Sequence, residues 1–110
     1  MIFRNSPEEP EDSDDIYEER TEDEINDALE ELTDKVWYNR HQDLKELIEE
    51  GREECDAQIW ADALKAAKRI ELKYGVENLG PYDDFEWGML NGKLSALRWL
   101  TGFEWDMLDT

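Results

Sequence analysis

The clearest structural signal in this 110-residue chain is the stretch IWADALKAAKRIELKYG, residues 59–75. Its apolar residues recur every three or four positions, which places them on one side of an α-helix. This stripe comprises Ile59, Trp60, Ala63, Leu64, Ala67, Ile70 and Tyr74. Gly75 followed by Val76 is typical of a left-handed C-terminal cap with its hydrophobic contact. The stretch therefore predicts an amphipathic helix that ends at Gly75.

Helical patterns continue upstream of this stretch. Thr21 and Glu24 have the spacing of a capping box, in which each side chain bonds the backbone amide of the other residue. The stripe that follows contains Ile25, Ala28, Leu29, Leu32, Val36 and Trp37. A second stripe contains Leu44, Leu47, Ile48 and Cys55. This second predicted helix crosses Gly51, where we expect it to fray or bend because glycine is a poor helix former.

The last predicted helix begins at Asp83 or Asp84, ends at Gly102 and is apolar around most of its circumference. One stripe holds Trp87, Leu90, Leu94 and Leu97, and its neighbour holds Met89, Ala96 and Leu100. A helix of this kind is usually buried, so we expect it in the middle of the fold. Alternating β-branched runs are absent. The sequence therefore predicts an all-α fold, a compact bundle of three to four helices with a buried C-terminal helix.

Charge divides the chain into two parts. The whole chain has 31 Asp and Glu against 12 Lys and Arg, a formal charge of −19. Residues 1–24 hold eleven acids, two bases and only five apolar residues. So few apolar side chains cannot offset the entropy of ordering the segment. We therefore predict a disordered acidic arm at 1–20 and a single helical domain at 21–110.

Composition also limits the classes of function. No run of 18 apolar residues predicts a membrane span, and the first residues lack the apolar core of a signal peptide. A single cysteine fits a reducing compartment, so we expect a cytoplasmic protein. The negative charge repels phosphate and anionic lipid, which disfavours direct contact with nucleic acid or membranes. The sequence does not indicate an oligomeric state.

The densest acidic cluster lies at residues 46–54, with Glu46, Glu49, Glu50 and Glu53 on one predicted helix face. Like charges at that spacing cost a helix roughly 0.2–0.5 kcal/mol per pair, so the pattern is tolerated or used. We take these four glutamates as a candidate site for a basic protein surface. The stretch Glu49–Glu53 also resembles the first half of the metal motif of all-helical nucleotide pyrophosphohydrolases. That resemblance implies Mg²⁺ ligands at Glu49, Glu50 and Glu53, but the second half, Glu-x-x-Asp on the next helix, is missing.

Other residues that could carry chemistry are sparse. His41 is the only histidine and Cys55 the only cysteine, so neither a zinc centre nor a catalytic pair is indicated. We expect His41 to be a satisfied or exposed histidine and Cys55 a small core residue. The prediction is a protein without enzymatic activity, cofactor or metal.

Two further patterns allow more than one explanation. Gly88, Gly92 and Ser95 form a stripe of small residues on the last predicted helix. Close packing against alanines of the helix at 59–74 (Ala63, Ala66 and Ala67) is favoured over a groove for a ligand or partner. The basic cluster of the helix at 59–74 has three candidate roles: it pairs with acidic faces of neighbouring helices, it receives the acidic arm or, least favoured, it binds nucleic acid. The cluster comprises Lys65, Lys68, Arg69 and Lys73.

The C-terminal tail adds Phe103 and Trp105, which we take as candidate partner-binding residues because exposed tryptophans often form interaction hot spots. The leading functional hypothesis is an acidic protein-binding module for a basic partner. One form of it is a regulator or inhibitor that mimics nucleic-acid charge and occupies a nucleic-acid-binding protein. The alternatives are an acidic helical scaffold whose charge serves solubility only, and a Mg²⁺-dependent nucleotide hydrolase that uses Glu46–Glu53.

Overall fold

The computed structural model describes residues 18–105 and shows an all-α fold, as predicted. Three helices follow one another: α1 is Glu22–Glu49, α2 is Ala57–Tyr74 and α3 is Asp84–Leu100. A 3₁₀ turn, Val76–Asn78, follows α2, and no strand occurs in residues 18–105. Most of the predicted acidic arm, residues 1–17, lies outside the described residues, and residues 18–20 are exposed and non-helical. No helix in the described part of the chain is long and apolar enough to cross a membrane.

Helix α1 replaces two predicted helices. Its capping box forms as expected, with the Glu24 amide donating to Thr21 Oγ1 at 3.1 Å and the Thr21 amide donating to Glu24 Oε1 at 2.8 Å. Residues 38–43 contain neither glycine nor proline, so the backbone bonds continue past Trp37 without interruption. The prediction of a helix that crosses Gly51 is wrong. Glycine there has a φ of 76°, and α1 ends before it at Glu49.

Helix α2 packs antiparallel to the middle of α1, and polar bonds fix the register. Tyr38 donates to Glu71 at 2.7 Å, and Tyr74 donates to Asp34 at 2.9 Å. Burial and the bond to Glu71 raise the pKa of Tyr38 to about 12, so the hydroxyl remains a donor at neutral pH. The core between the helices consists of Tyr38, Ala67, Ile70 and Leu79, with Trp37 and Tyr74 packed against it.

The loop between α2 and α3 is tied to α1 by one side chain. Asn39 Nδ2 donates to the carbonyl oxygens of Lys35 at 2.9 Å and Leu79 at 3.0 Å. Leu79 is only 2% exposed, and Gly80 follows it with a φ of 108°. Asn39 therefore holds the point at which the chain turns toward α3.

Helix α3 contacts α1, whereas no Cα atom of α2 lies within 8 Å of one in α3. Its capping residue is Asp83, which accepts from the Glu86 amide at 2.8 Å. Leu94, 2% exposed, marks the side that faces α1, but Phe85, Met89 and Leu100 are exposed. The expected burial of the C-terminal helix is therefore not confirmed, since residues 18–105 bury only its Leu94 side. Within the described residues, helix α1 lies in the middle because it contacts both α2 and α3, which do not contact each other.

Candidate functional site

The four predicted partner-binding glutamates lie at the C-terminal end of α1. Glu46 and Glu49 occupy its last turn, Glu50 caps it, and Glu53 lies in the following loop. All four are exposed, and Glu50 pairs with Arg52 at 3.1 Å. We call the exposed acidic residues of this region the acidic end: Asp43, Glu46, Glu49, Glu50, Glu53 and Glu54.

The electrostatics of the acidic end are unusual for a helix terminus. Carbonyl groups give the C-terminus of a helix a partial negative charge, which basic side chains normally compensate. The last turn of α1 contains no basic residue, and acidic residues stand there instead. The carboxylates and the helix dipole therefore add to one negative potential.

The carboxylates of the acidic end do not converge on a cation site. Within residues 18–105, no group of three or more His, Cys, Asp or Glu is arranged to hold a metal ion. Glu46 and Glu49 line a shallow polar groove of about 330 Å³ with Gln42, Asp43 and Lys45. The turn at Gly51 separates Glu53 from the helical glutamates, so the spacing implied by a continuous helix is lost.

Within residues 18–105, one member of the basic cluster on α2 forms an ion pair with α1. Lys73 binds Glu30 at 2.8 Å, and that hydrogen bond raises the pKa of Lys73. A cavity of about 550 Å³ between the helices is lined by Glu30, Asp34, Arg69 and Lys73, among others. Lys65 and Lys68 are exposed. The proposed docking of the acidic arm on this cluster falls on residues outside the described part of the chain.

The two predicted tail residues lie just beyond α3 and are exposed. The backbone turns back there, since the Phe103 amide donates to the Arg98 carbonyl at 2.8 Å and the Gly102 amide to that of Trp99 at 3.1 Å. This pattern is a Schellman cap. Trp105 then stacks on Trp99 with ring centroids 5.1 Å apart. The result is an exposed aromatic pair at the end of α3.

The small-residue stripe of α3 does not pack against α2. A Cβ atom built on Gly88 or Gly92 meets no atom within 4 Å. The predicted close approach of the α2 alanines is therefore wrong, because α3 docks on α1 through its opposite side. Each interior glycine costs a helix about 1 kcal/mol relative to alanine, and no contact in the described chain offsets that cost.

An aromatic sandwich that the sequence did not predict surrounds His41. The imidazole is 5% exposed and stacks between the indoles of Trp37 and Trp60, each with a centroid separation of 4.9 Å. Trp37 lies one turn before His41 on α1, and the spacing of four was the only sequence signal for this contact. The adjoining cavity of about 260 Å³ is lined by Arg40, Leu44, Cys55, Ile59 and Ala63, together with the three rings.

Protonation of His41 is expected to destabilise the fold. Burial lowers its pKa below the ordinary 6.5, the charge of Lys45 adds to this effect, and Glu71 opposes it; Arg40 also lines the cavity. The unfolded chain then binds the proton more readily, so this contribution to stability is complete above about pH 6.5 and declines as pH falls below it. The single histidine gives one imidazole resonance, whose midpoint in a pH titration by NMR should lie below 6.5.

A matched variant separates the contribution of His41 to the pH dependence of stability from the contribution of the many carboxylates. In His41→Phe, the difference in unfolding free energy between pH 7.5 and pH 5.5 should lose the component due to the imidazole, as measured by urea unfolding. A midpoint at or above 6.5 would contradict the prediction and would indicate that the indole faces stabilise the imidazolium.

Comparison of the chain with known proteins finds no matching protein family, no similar curated protein and no similar solved structure.

Proposed function

We propose that this protein is a non-enzymatic binding module that docks its acidic end on a basic protein surface. The observation that supports this proposal is the coincidence of exposed carboxylates with the negative end of the α1 dipole. Acidic residues at that terminus cost the helix stability, typically about 0.3–1 kcal/mol each. A cationic partner would relieve the repulsion, so the arrangement favours binding of a positive surface.

The length of α1 suits a partner that normally holds nucleic acid. Its 28 residues span about 42 Å and carry ten acidic against three basic residues. Averaged over the helix, that is one carboxylate per roughly 4 Å of axis, compared with about 3.4 Å per phosphate along one DNA strand, although none lies between Asp34 and Asp43. The proposal therefore includes competition with nucleic acid for a basic protein.

Electrostatic attraction of this kind has a defined salt response. A net charge of −19 accelerates the encounter with a positive surface, and screening at higher ionic strength removes the effect. The exposed tail residues Phe103 and Trp105 would add apolar contact that salt does not screen.

The experiment uses a lysine-rich, fluorescently labelled peptide as the basic probe. We expect the full chain to bind it at low salt and to lose affinity steadily between 50 and 300 mM NaCl. The variant Glu46→Gln/Glu49→Gln/Glu53→Gln should bind about tenfold more weakly, equivalent to roughly 1.4 kcal/mol. Fluorescence anisotropy measures both effects.

The control removes the same number of charges elsewhere. Glu18→Gln/Glu19→Gln/Glu104→Gln changes three exposed acids away from the acidic end, and its affinity should fall by less than threefold. Equal losses in both variants would refute a localised site, and no binding of the peptide even at low salt would favour the alternative in which acidity serves solubility alone. For the mimicry form, the protein should displace a labelled DNA duplex from the same peptide.

A further inference from the structure

The cavity of about 260 Å³ beside the aromatic sandwich, which we call the sandwich cavity, is lined by a buried polar side chain without a partner. His41 is 5% exposed, and both faces of its ring are covered by Trp37 and Trp60. Only the edge of the ring, which carries both nitrogens, can therefore meet the cavity. Within residues 18–105 neither nitrogen forms a hydrogen bond, and neither is sealed from open space.

The charge that lines the sandwich cavity is opposite to that of the chain as a whole. The chain has 31 acidic residues, yet none of the eight residues that line this cavity is acidic. One of the eight is Arg40, which is exposed and forms no ion pair within residues 18–105. At physiological salt, exposed charges beyond about 8 Å are largely screened. A ligand in the cavity therefore meets the arginine more strongly than the distant carboxylates.

We propose that the sandwich cavity binds a small apolar monocarboxylate. The two oxygens of a carboxylate accept hydrogen bonds, so this group suits both the Arg40 guanidinium and the N–H of the neutral His41 imidazole. The apolar remainder of the ligand would lie against Leu44, Ile59 and Ala63, which line the same cavity. Apolar walls with a few polar groups that fix the orientation are typical of small-molecule sites.

The volume of the sandwich cavity limits the size of the ligand. One water molecule takes about 30 Å³ of liquid, so 260 Å³ corresponds to roughly nine non-hydrogen atoms. A single aromatic ring with one carboxylate has this size, whereas a nucleotide or a long-chain fatty acid exceeds it. Benzoate is therefore a suitable probe, and benzamide is its uncharged counterpart of the same shape.

The sandwich cavity is separate from the acidic end, because none of its lining residues belongs to that cluster. Binding of a carboxylate therefore goes beyond the proposed docking on a basic protein surface. Failure of benzoate to bind would leave the binding of the lysine-rich peptide unaffected, and the reverse also holds.

The only thiol of the chain reports directly on occupancy of the cavity. Cys55 is free, half-buried and part of the lining. For so small a ligand we expect a dissociation constant on the order of 1 mM. Benzoate at roughly ten times that concentration should slow alkylation of Cys55 by iodoacetamide about fivefold or more in the full chain. An alkylation rate that benzoate does not change would overturn the proposal.

Benzamide tests the contribution of the carboxylate. It should bind about tenfold more weakly than benzoate, because it lacks the charge that Arg40 attracts. Calorimetric titration at 0.15 M NaCl measures both constants. Equal affinity for the two ligands would contradict recognition of a carboxylate.

Variants of the full chain test the two polar groups. Arg40→Gln should weaken benzoate binding about tenfold and leave benzamide binding unchanged. The matched control Arg20→Gln removes the same charge at an exposed residue about 27 Å away along α1, and its effect should stay below about twofold. His41→Phe keeps a ring between the indoles but lacks the N–H, and it should weaken benzoate binding about threefold or more.

A variant that fills the cavity tests the place of binding. Ala63→Leu should abolish protection of Cys55 by benzoate while the helical circular dichroism stays unchanged, since Ala63 lines the cavity from α2. Equal losses in Arg40→Gln and Arg20→Gln would rule out this site, and so would undiminished benzoate binding in both Arg40→Gln and His41→Phe.

Discussion

Replacement of Leu94 by alanine is expected to destabilise the protein by about 3 kcal/mol, within the range of about 2–5 kcal/mol for leucines in protein cores. Leu94 is 2% exposed and is the only fully buried side chain of α3. Its removal leaves a cavity on the side that faces α1, the one helix among residues 18–105 that α3 contacts. Urea unfolding followed by circular dichroism measures the loss.

The matched control lies on the same helix. Leu100→Ala makes the same chemical change at a side chain that is 57% exposed, and its effect should stay within about 0.5 kcal/mol, as for most surface substitutions. Equal effects of the two substitutions would mean that α3 does not dock through the side of Leu94.

Gly80→Ala should be the most damaging substitution of a glycine, with a cost of about 2–3 kcal/mol from strain and lost bonding together. Gly80 has a φ of 108°, a backbone conformation that residues with a side chain rarely adopt. A Cβ atom there would lie 2.8 Å from Asn39 Oδ1. Asn39 cannot retreat freely because its amide group bonds the carbonyls of Lys35 and Leu79. Thermal unfolding of the purified variant gives the measurement.

Gly51→Ala isolates the backbone contribution to this effect. Gly51 has a φ of 76°, but a Cβ atom there meets nothing within 4 Å, so only the strain of about 1 kcal/mol should remain. If Gly51→Ala costs as much as Gly80→Ala, then the contact with Asn39 contributes nothing.

The merging of two predicted helices into α1 shows where local patterns mislead. The apolar stripe shifts around the helix axis between Trp37 and Leu44, where the sequence patterns predict two separate helices. In the structure, the shift reflects a change of neighbours: Tyr38 faces the α2 core, and His41 enters the aromatic sandwich. A helix can continue while its buried side rotates, because backbone bonding requires only the absence of a breaker.

The candidate sites also include features that the local sequence predicted and features that depend on contacts between distant residues. Phe103 and Trp105, chosen in the tail as exposed candidates, are 44% and 50% exposed. The sandwich of His41 between Trp37 and Trp60 could not be anticipated in full, since Trp60 arrives from α2, nineteen positions along the chain. The cavity that Cys55 lines together with these rings could not be predicted for the same reason, because its residues are distant in the sequence.

The sequence by itself determined the all-α class and most helix ends, because a capping box at Thr21, a cap at Asp83 and glycines at 75 and 102 act within a few residues. Only the tertiary structure decided which helix is central and which face of α3 is covered. Both sides of α3 are apolar, so hydrophobicity alone ranks them nearly equally. The choice depends on how Leu94 packs toward a distant helix, a contact that no local pattern encodes.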